Sequence, residues 1–552
     1  MLALTLSLWL SPDALACGGL FCNAVAPVDQ TGERILFVAD EAANAVEVHV
    51  QISYQGPSED FSWILPVPAL PELFPSSGDV LQRLAMVTTP TFLPTNEDVG
   101  TCVQPRFVAM ADAGTADTAE AGEGGVTVVG AAQVGPYDSV TLQATDAATL
   151  VQWLSDNAYD LPEGAEERIA PYIASGSYFV ALKLQKDRDA GDIVPLGLRY
   201  AGSDPVIPLQ LTGVAAAPDF RLQPYVLGAR RAVPENYLHV VINELAVDWL
   251  QGGINYPDVV GRAADEAGGL AFATDFAGAH APTGLSMFRE DRVPLADVAS
   301  MTTLEQLGNV LYTPFFVPGT TQGFDDYGIP VTVATIPILD AFVDAPAGVE
   351  IDDFLSCPGC YGTFGSTPLD GAGLAAALEA GWAAPLRRVQ AHLDAYPYLT
   401  RLTSSISASE MTIDPRFVLN DTLGDVAGAR QATLQFLCNG VHERQNAPRR
   451  LVLADGTAIE LPSQSEQAQT DGWDWSTWVA DAGTYAALRV EQTGRSGDPV
   501  VLVDNQEAIV AAAGAFNRAN CGCDQRGGAG AAGAMAALGV LALRRRRGLP
   551  AA

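Results

Sequence analysis

Val46-Glu47-Val48-His49-Val50-Gln51-Ile52-Ser53 alternates apolar with polar residues along its whole length. Successive side chains of a strand point to opposite faces. The pattern therefore predicts a strand with Val46, Val48, Val50 and Ile52 on a buried face and Glu47, His49, Gln51 and Ser53 on a wet one. On that reading His49 is a solvated histidine and not a ligand. Ile35-Leu36-Phe37-Val38 stands upstream as a partner strand. Downstream, Trp63-Ile64-Leu65-Pro66-Val67-Pro68 starts apolar and then meets two prolines. Proline donates no ladder hydrogen bond, which assigns the segment to a sheet edge or an extended wall. Its aromatic residue packs a domain rim or lines a groove.

The same reasoning predicts strands over 126–134, 177–186, 193–200, 206–212, 224–228 and 237–243, joined by Gly, Asp and Pro turns. Within 206–212, Ile207, Leu209 and Leu211 alternate with Pro208, Gln210 and Thr212. Asp146 caps a helix running toward Asn157, and Pro162 opens a second one reaching Ala174. Residues 111–125 (ADAGTADTAEAGEGG) are too small and acidic to bury a core and read as a flexible excursion. Past residue 245, helices are expected over 259–267, 303–310 and 373–393. In the last, Leu374, Leu378, Trp382, Leu386, Val389 and Leu393 recur at helical spacing, while Pro385 kinks or splits the helix. Strands over 432–438, 449–454, 458–461, 485–493 and 500–503 close the folded part. The fold class expected is α+β: β-rich antiparallel sheets, sandwich or barrel-like, with a helix-containing second half. The chain divides into a 1–16 signal peptide, a 17–245 β-rich domain, a 246–445 mixed region and a 446–515 β region. A 516–528 Cys/Gly linker, a 529–543 apolar helix and a 544–552 basic tail follow.

Composition narrows the chemistry. The 552 residues carry 65 carboxylates against 30 basic groups, a net charge of −35, with Lys183 and Lys186 the only lysines. Nucleic acid binding needs a distributed basic face, and here the basic cluster is confined to the terminal arginines. An acidic exterior keeps a protein soluble by self-repulsion, or it collects cations. Cys17, Cys22, Cys102, Cys357, Cys360 and Cys438 are candidates for disulfides in an exported chain, with connectivity open. Cys17 could close on Cys22, and Cys357-Pro358-Gly359-Cys360 could close locally or split to Cys102 and Cys438. A CxxC pair could also be a redox site or half a zinc site. The five histidines (His49, His239, His280, His392, His442) are scattered and form neither HxH nor HExxH. Asp325-Asp326 and Asp352-Asp353 read as solvated carboxylates. Glu410 and Asp414 stand four apart, but Asp414-Pro415 ends any helix that could pair them. There is no P-loop, GxSxG elbow or Rossmann glycine fingerprint. No catalytic, cofactor-binding or metal residue is assigned, although a Ser/His/Asp or Cys/His site could still be assembled from distant positions.

The ends carry addresses. Leu2 to Leu10 is a short apolar stretch, and Ala14-Leu15-Ala16 before Cys17 fits signal peptidase cleavage after Ala16. No Lys or Arg precedes Arg34, so the expectation is a start upstream of Met1 or an atypical signal peptide. Cys17 also fits a lipoprotein, but Ala14 stands where a lipobox prefers Leu. At the other end come Cys521-Gly522-Cys523, a Gly/Ala-rich apolar run and Arg544-Arg545-Arg546-Arg547. As a helix the run rises roughly 22 Å, short of a hydrocarbon core of about 30 Å. The arginines would hold its end at the cytoplasmic face. Cys521, Cys523, the apolar helix and the arginine quartet resemble the MYXO-CTERM sorting tail. That resemblance implies a transient membrane stay, processing near the cysteines by a sorting protease, and attachment at the cell surface or release.

Cys17-Gly18-Gly19-Leu20-Phe21-Cys22 begins a second resemblance, followed by Pro27-Val28-Asp29-Gln30 and Glu33-Arg34-Ile35-Leu36-Phe37. Phe61-Ser62-Trp63-Ile64-Leu65-Pro66-Val67-Pro68, Tyr178-Phe179-Val180-Ala181-Leu182-Lys183-Leu184, Tyr398-Leu399-Thr400-Arg401-Leu402-Thr403 and Glu410-Met411-Thr412-Ile413-Asp414-Pro415 continue it. In this order the motifs resemble the bacterial domain of unknown function 2330 family, over about residues 17–440. The resemblance implies an exported or surface protein with no assigned activity, and it transfers no catalytic residues. The expected function is a non-enzymatic envelope protein that binds a surface ligand or serves adhesion or surface architecture. The alternative is an envelope hydrolase acting on glycan or peptide through dispersed carboxylates. A third reading is calcium binding through the acidic loops.

Overall fold

A computed structural model describes residues 29–55, 62–102, 131–157, 159, 164–184, 194–214, 216–314, 327–362, 367–440, 442–470 and 472–520. The alternating segment lies in the strand Ala45–Gln55, paired antiparallel with Asp29–Asp40. The hairpin turn Glu41–Asn44 ends with Asn44 at φ 48°, a left-handed conformation that asparagine tolerates through its short polar side chain. The two strands belong to a ten-stranded sheet. Its order is Val500–Asp504, Ala487–Gln492, Leu238–Ile242, Ala271–Ala279, Tyr398–Ile406, Ala216–Gly228, Asp29–Asp40, Ala45–Gln55, Leu196–Ala201 and Glu72–Pro75. Most neighbours run antiparallel; Asp29–Asp40 with Ala216–Gly228 and Leu238–Ile242 with Ala271–Ala279 run parallel. The fold is α+β, and none of the described sheets closes into a barrel.

Both faces of the large sheet are covered. Ile35 and Phe37 point to one face with Val46, Val48 and Val50, where Trp63, Leu65, Val180 and Leu182 of a four-stranded sheet meet them. Leu36 and Val38 point to the other, under helices that include Gly78–Thr88, Gly371–Leu378 and Ala384–Ala395. Two-sided burial explains why 35–38 is a continuous apolar run. Each such side chain, fully buried, contributes about 1.5–3 kcal/mol. The four-stranded sheet orders Ser62–Val67, Tyr178–Leu184, Tyr137–Leu142 and Ala131–Val134, with the proline-containing strand at its edge. Helices Ala147–Asp156 and Ala165–Ala174 cap its far side through Ile64, Phe179, Leu154 and Ile169. Asp146 accepts a bond from the Thr149 amide at 2.7 Å, which is the helix cap its sequence predicts. A third core joins the Leu238–Ile242 end of the large sheet to Tyr256–Glu266, to Gln506–Asn520 and to a sheet of Thr95–Val99, Ala432–Leu437, Arg449–Leu453 and Ala458–Leu461.

Three expectations are corrected. His49 is fully buried, because the polar face of its strand is covered by the helical layer and not by water. Residues 206–212 form no strand beyond a bridge at Val206; Leu209–Thr212 is a helical turn. Pro208, with no amide to give a ladder, starts that turn, and Leu209 and Leu211 enter two different cores. Asp352 and Asp353 are exposed, in the first turn of the helix Ile351–Ser356, where carboxylates favour the positive end of the helix dipole. The folded part continues past residue 503 into the helix Gln506–Asn520. Around Pro385 the two predicted halves are joined by a π-helical turn at Glu379–Ala383.

Candidate functional site

Three neighbouring strands place a row of polar side chains next to one another. The antiparallel register of Leu238–Ile242 with Ala487–Gln492 sets His239 directly opposite Glu491. The parallel register with Ala271–Ala279 brings Thr274 to the other side of the same imidazole. His239 Nδ1 lies 3.2 Å from Glu491 Oε2, and Nε2 lies 2.9 Å from Thr274 Oγ1. All three residues are buried. Burial pushes the His239 pKa down, against the pull of the Glu491 carboxylate, so the ring is neutral at pH 7. Burial also pushes Glu491 up, yet the bonds from His239 and Arg489 outweigh it and hold the carboxyl below its usual range. A carboxylate can only accept, so Nδ1 carries the single imidazole proton and Nε2 accepts the Thr274 hydroxyl.

Arg231, on the short strand Arg231–Pro234, completes the group. Its Nη1 donates to the Gly424 carbonyl at 2.9 Å and its Nη2 to Thr274 Oγ1 at 3.3 Å. Among the described residues its Nε has no hydrogen-bond acceptor, although the residue is only 9% exposed. Among the described residues no carboxylate forms an ion pair with it. These groups line a chamber of about 490 Å³, together with Arg430, Arg489 and Glu244. Arg489 pairs with Glu491 at 2.9 Å, and Arg430 approaches Glu244 at 3.8 Å. Burial pushes the Glu244 carboxyl up, which weakens its hold on a negative charge. Three guanidiniums therefore face two carboxylates inside a chain of net charge −35. A planar guanidinium with a spare N–H beside a hydroxyl is suited to hold a carboxylate or phosphate oxygen.

A second buried network lies between the large sheet and the helix Ala384–Ala395. Glu47 and His49, two apart, share one strand face; Arg388 and His392, four apart, share one helix face. They meet on Glu47. Its Oε1 receives His49 Nε2 at 3.2 Å and His392 Nε2 at 2.9 Å, while Arg388 spans both oxygens at 2.9 and 2.8 Å. Burial pushes the Glu47 carboxyl up, but these bonds prevail and hold it far below the usual range. His49 Nδ1 lies 2.7 Å from Ser76 Oγ. Burial lowers the His49 pKa despite Glu47, leaving a neutral ring.

The residues singled out in the sequence are placed as follows. Cys102 and Cys438 form one disulfide and Cys357 and Cys360 another. Asp98, Cys102 and Cys438 are the described residues whose ligand atoms cluster closely enough for a metal, but both sulfurs are spent in the disulfide. Asp414 does not pair with Glu410; it accepts the Tyr172 hydroxyl and the Gln210 amide, each at 2.9 Å. Asp414 and Glu33 both line a cavity of about 210 Å³ with Pro66 and Pro68, while the aromatic of that segment, Trp63, is buried in the core and does not line it. Ala16, Cys17, Cys22, Asp325, Asp326, Cys521, Cys523, Arg544, Arg545, Arg546, Arg547 and the 111–125 excursion lie outside the described residues. Among the described residues no helix is long and apolar enough to cross a membrane. Sequence reasoning missed Arg231, Thr274 and Glu491 altogether and treated His239 as one of five scattered histidines. The strand 237–243 was legible, but its neighbours in the sheet were not.

A profile of the family described as "Uncharacterized protein conserved in bacteria (DUF2330)" matches residues 11–306. No curated protein matches the chain. Among solved structures, the crystal structure of baculovirus P35 aligns at 10% identity with a TM-score of 0.24, covering 41% of this chain and 70% of that one.

Proposed function

This chain belongs to the DUF2330 family of bacterial proteins, and from that premise we propose that it is an exported cell-envelope protein whose folded body binds a small anion. The single observation behind the binding reading is Arg231: a buried guanidinium with an unsatisfied Nε, lining a chamber where cations outnumber anions. A buried cation without a carboxylate partner is costly, and a bound carboxylate or phosphate would offset that cost. The envelope reading rests on the terminal segments, with signal peptidase acting after Ala16 and a sorting protease near Cys521 and Cys523. Cell fractionation tests it: recovery of the protein in the cytosol with Met1 intact would show both terminal readings to be wrong.

For the chamber, titration calorimetry of the purified body with inorganic phosphate and with succinate is the direct test. We expect one of them to bind at a single site, and Arg231→Gln to weaken it at least 10-fold while the protein stays folded. Absence of binding by both, or equal binding by the variant, overturns the reading.

A further inference from the structure

Ser76 lies between the strand Glu72–Pro75 and the helix Gly78–Thr88, on the wall of a cavity of about 390 Å³ that shares no lining residue with the anion chamber. The cavity is also lined by Ser77, Gly78, Gln51 and Gln82. Behind Ser76 stands the linear arrangement already described: Oγ to His49 Nδ1 at 2.7 Å, His49 Nε2 to Glu47 Oε1 at 3.2 Å. Its polarity is fixed by chemistry. Glu47, held as a carboxylate by Arg388 and His392, can only accept, so the one proton of the neutral imidazole sits on Nε2. Nδ1 is then a lone-pair acceptor aimed at the Ser76 hydroxyl. A serine whose proton points at a neutral imidazole, itself oriented by a carboxylate, is the logic of an activated hydroxyl nucleophile, with the two ring nitrogens exchanged relative to the usual order.

The imidazole is also mechanically fixed. Phe74 packs edge-on against it with centroids 5.5 Å apart, and Arg388 lies over the other ring at 3.6 Å. Gly197, opposite His49 in the sheet, leaves room for this stack: a side chain there would come within 2.8 Å of three Phe74 ring atoms. Two residues beyond Ser76, Gly78 begins an 11-residue helix whose Asp79 amide is capped by Ser77 Oγ at 3.4 Å, and Gly78 and Asp79 line the same cavity.

We propose that Ser76, His49 and Glu47 form a nucleophilic acyl-transfer site that hydrolyses small carboxylic esters entering this cavity. Ser76 Oγ forms a bond to the acyl carbon as its proton passes to His49 Nδ1. The bond from that carbon to the alkoxy leaving group breaks, and the leaving oxygen takes the proton from His49. Water then attacks the acyl-serine, giving up a proton through the same nitrogen and releasing the carboxylic acid and the free serine. Only Ser76 and His49 touch the reacting atoms; Glu47 is a positioning residue.

The test uses the purified protein, a fluorophosphonate probe and p-nitrophenyl acetate. Mass spectrometry is expected to locate a single phosphonate adduct on Ser76. Ser76→Ala removes the adduct and lowers ester turnover at least 100-fold while the protein keeps a cooperative melt, at a lower midpoint because His49 Nδ1 loses its buried partner. Ser77→Ala, which alters only the neighbouring helix cap, keeps the adduct. Glu47→Asp keeps partial turnover at a higher pH dependence than wild type, whereas a merely structural Glu47 would leave the pH profile in place. A folded protein that gives no adduct at Ser76, or turnover that survives Ser76→Ala, overturns the proposal.

Discussion

Glu47 is where single residues matter most, because one carboxylate with 1% exposure neutralises Arg388 and orients two histidines. Replacing it with glutamine leaves the Arg388 guanidinium, about a third exposed, facing a neutral amide with Glu72 at 3.6 Å as its remaining carboxylate, and losing charged hydrogen bonds of this kind costs about 1.5–3 kcal/mol. The sign of its pH dependence follows from the direction of its shift. The folded-state pKa lies far below the ordinary value of about 4.3, so the stabilisation is fully present above that value and fades as pH falls toward the folded pKa. Denaturant melts of wild type and Glu47→Gln are therefore expected to differ most at pH 7, with the difference beginning to shrink only below about pH 4 and closing far lower, near the folded pKa. A constant difference across that range would mean that packing and not charge is responsible. The alternation of 46–53 correctly separated two strand faces. What it could not report is what lies on each face, and a period of two is silent on whether the polar side meets water or a helix. Glu47 and His49 read as wet because their partners, Arg388 and His392, stand some 340 residues away.

Among the elements, the two disulfides of the described residues make opposite demands on the chain. Cys102–Cys438 ties the end of Thr95–Val99 to the end of Ala432–Leu437, parallel neighbours 336 residues apart in sequence. Cys357–Cys360 closes a loop with a separation of 3. Cross-linking distant points removes more freedom from the unfolded chain, and a loop of that size corresponds to about 6 kcal/mol against about 2 kcal/mol for the short one. The double variant Cys102→Ser/Cys438→Ser is thus expected to lose 2–5 kcal/mol in chemical denaturation, and Cys357→Ser/Cys360→Ser clearly less. An equal or reversed order would contradict this account. The sequence left the pairing open, because spacing does not show which strand ends become neighbours. Elements with a strong local signal were legible: the Asp146-capped helix, the 432–438 strand and the helical face from Leu374 to Leu393. Leu209–Thr212 was not, because Leu209 and Leu211 alternate like a strand while entering two separate cores. The anion chamber was the least legible feature of all, since His239, Glu491, Thr274 and Arg231 come together only through sheet register.

For the molecule as a whole, the dominant fact is a net charge of −35 carried on surfaces that must coexist in one compact body. Like charges brought together by folding repel one another, which destabilises the compact state relative to the expanded chain. The repulsion is long-ranged in dilute buffer and is cut off at about 10 Å in 0.1 M salt. The melting temperature is therefore expected to rise as sodium chloride is added from low ionic strength, and to level off once the screening length falls below the spacing of surface carboxylates. The same experiment separates screening from binding. If the acidic exterior is simply solvated, calcium and magnesium chlorides at matched ionic strength raise the melting temperature alike, because screening depends on charge and not on ion identity. Calcium held by acidic loops would add RT ln(1 + [L]/Kd), a term that keeps growing with calcium after screening has saturated and that magnesium does not reproduce. We expect equal curves for the two cations, and a continuing calcium-specific rise would overturn that expectation. Salt is expected to favour binding at the anion chamber as well, through the rate of association. Salt lowers the repulsive field that an incoming phosphate meets outside, but it screens the buried Arg231 contact little. Added salt should thus speed association with the chamber while leaving the dissociation rate nearly unchanged.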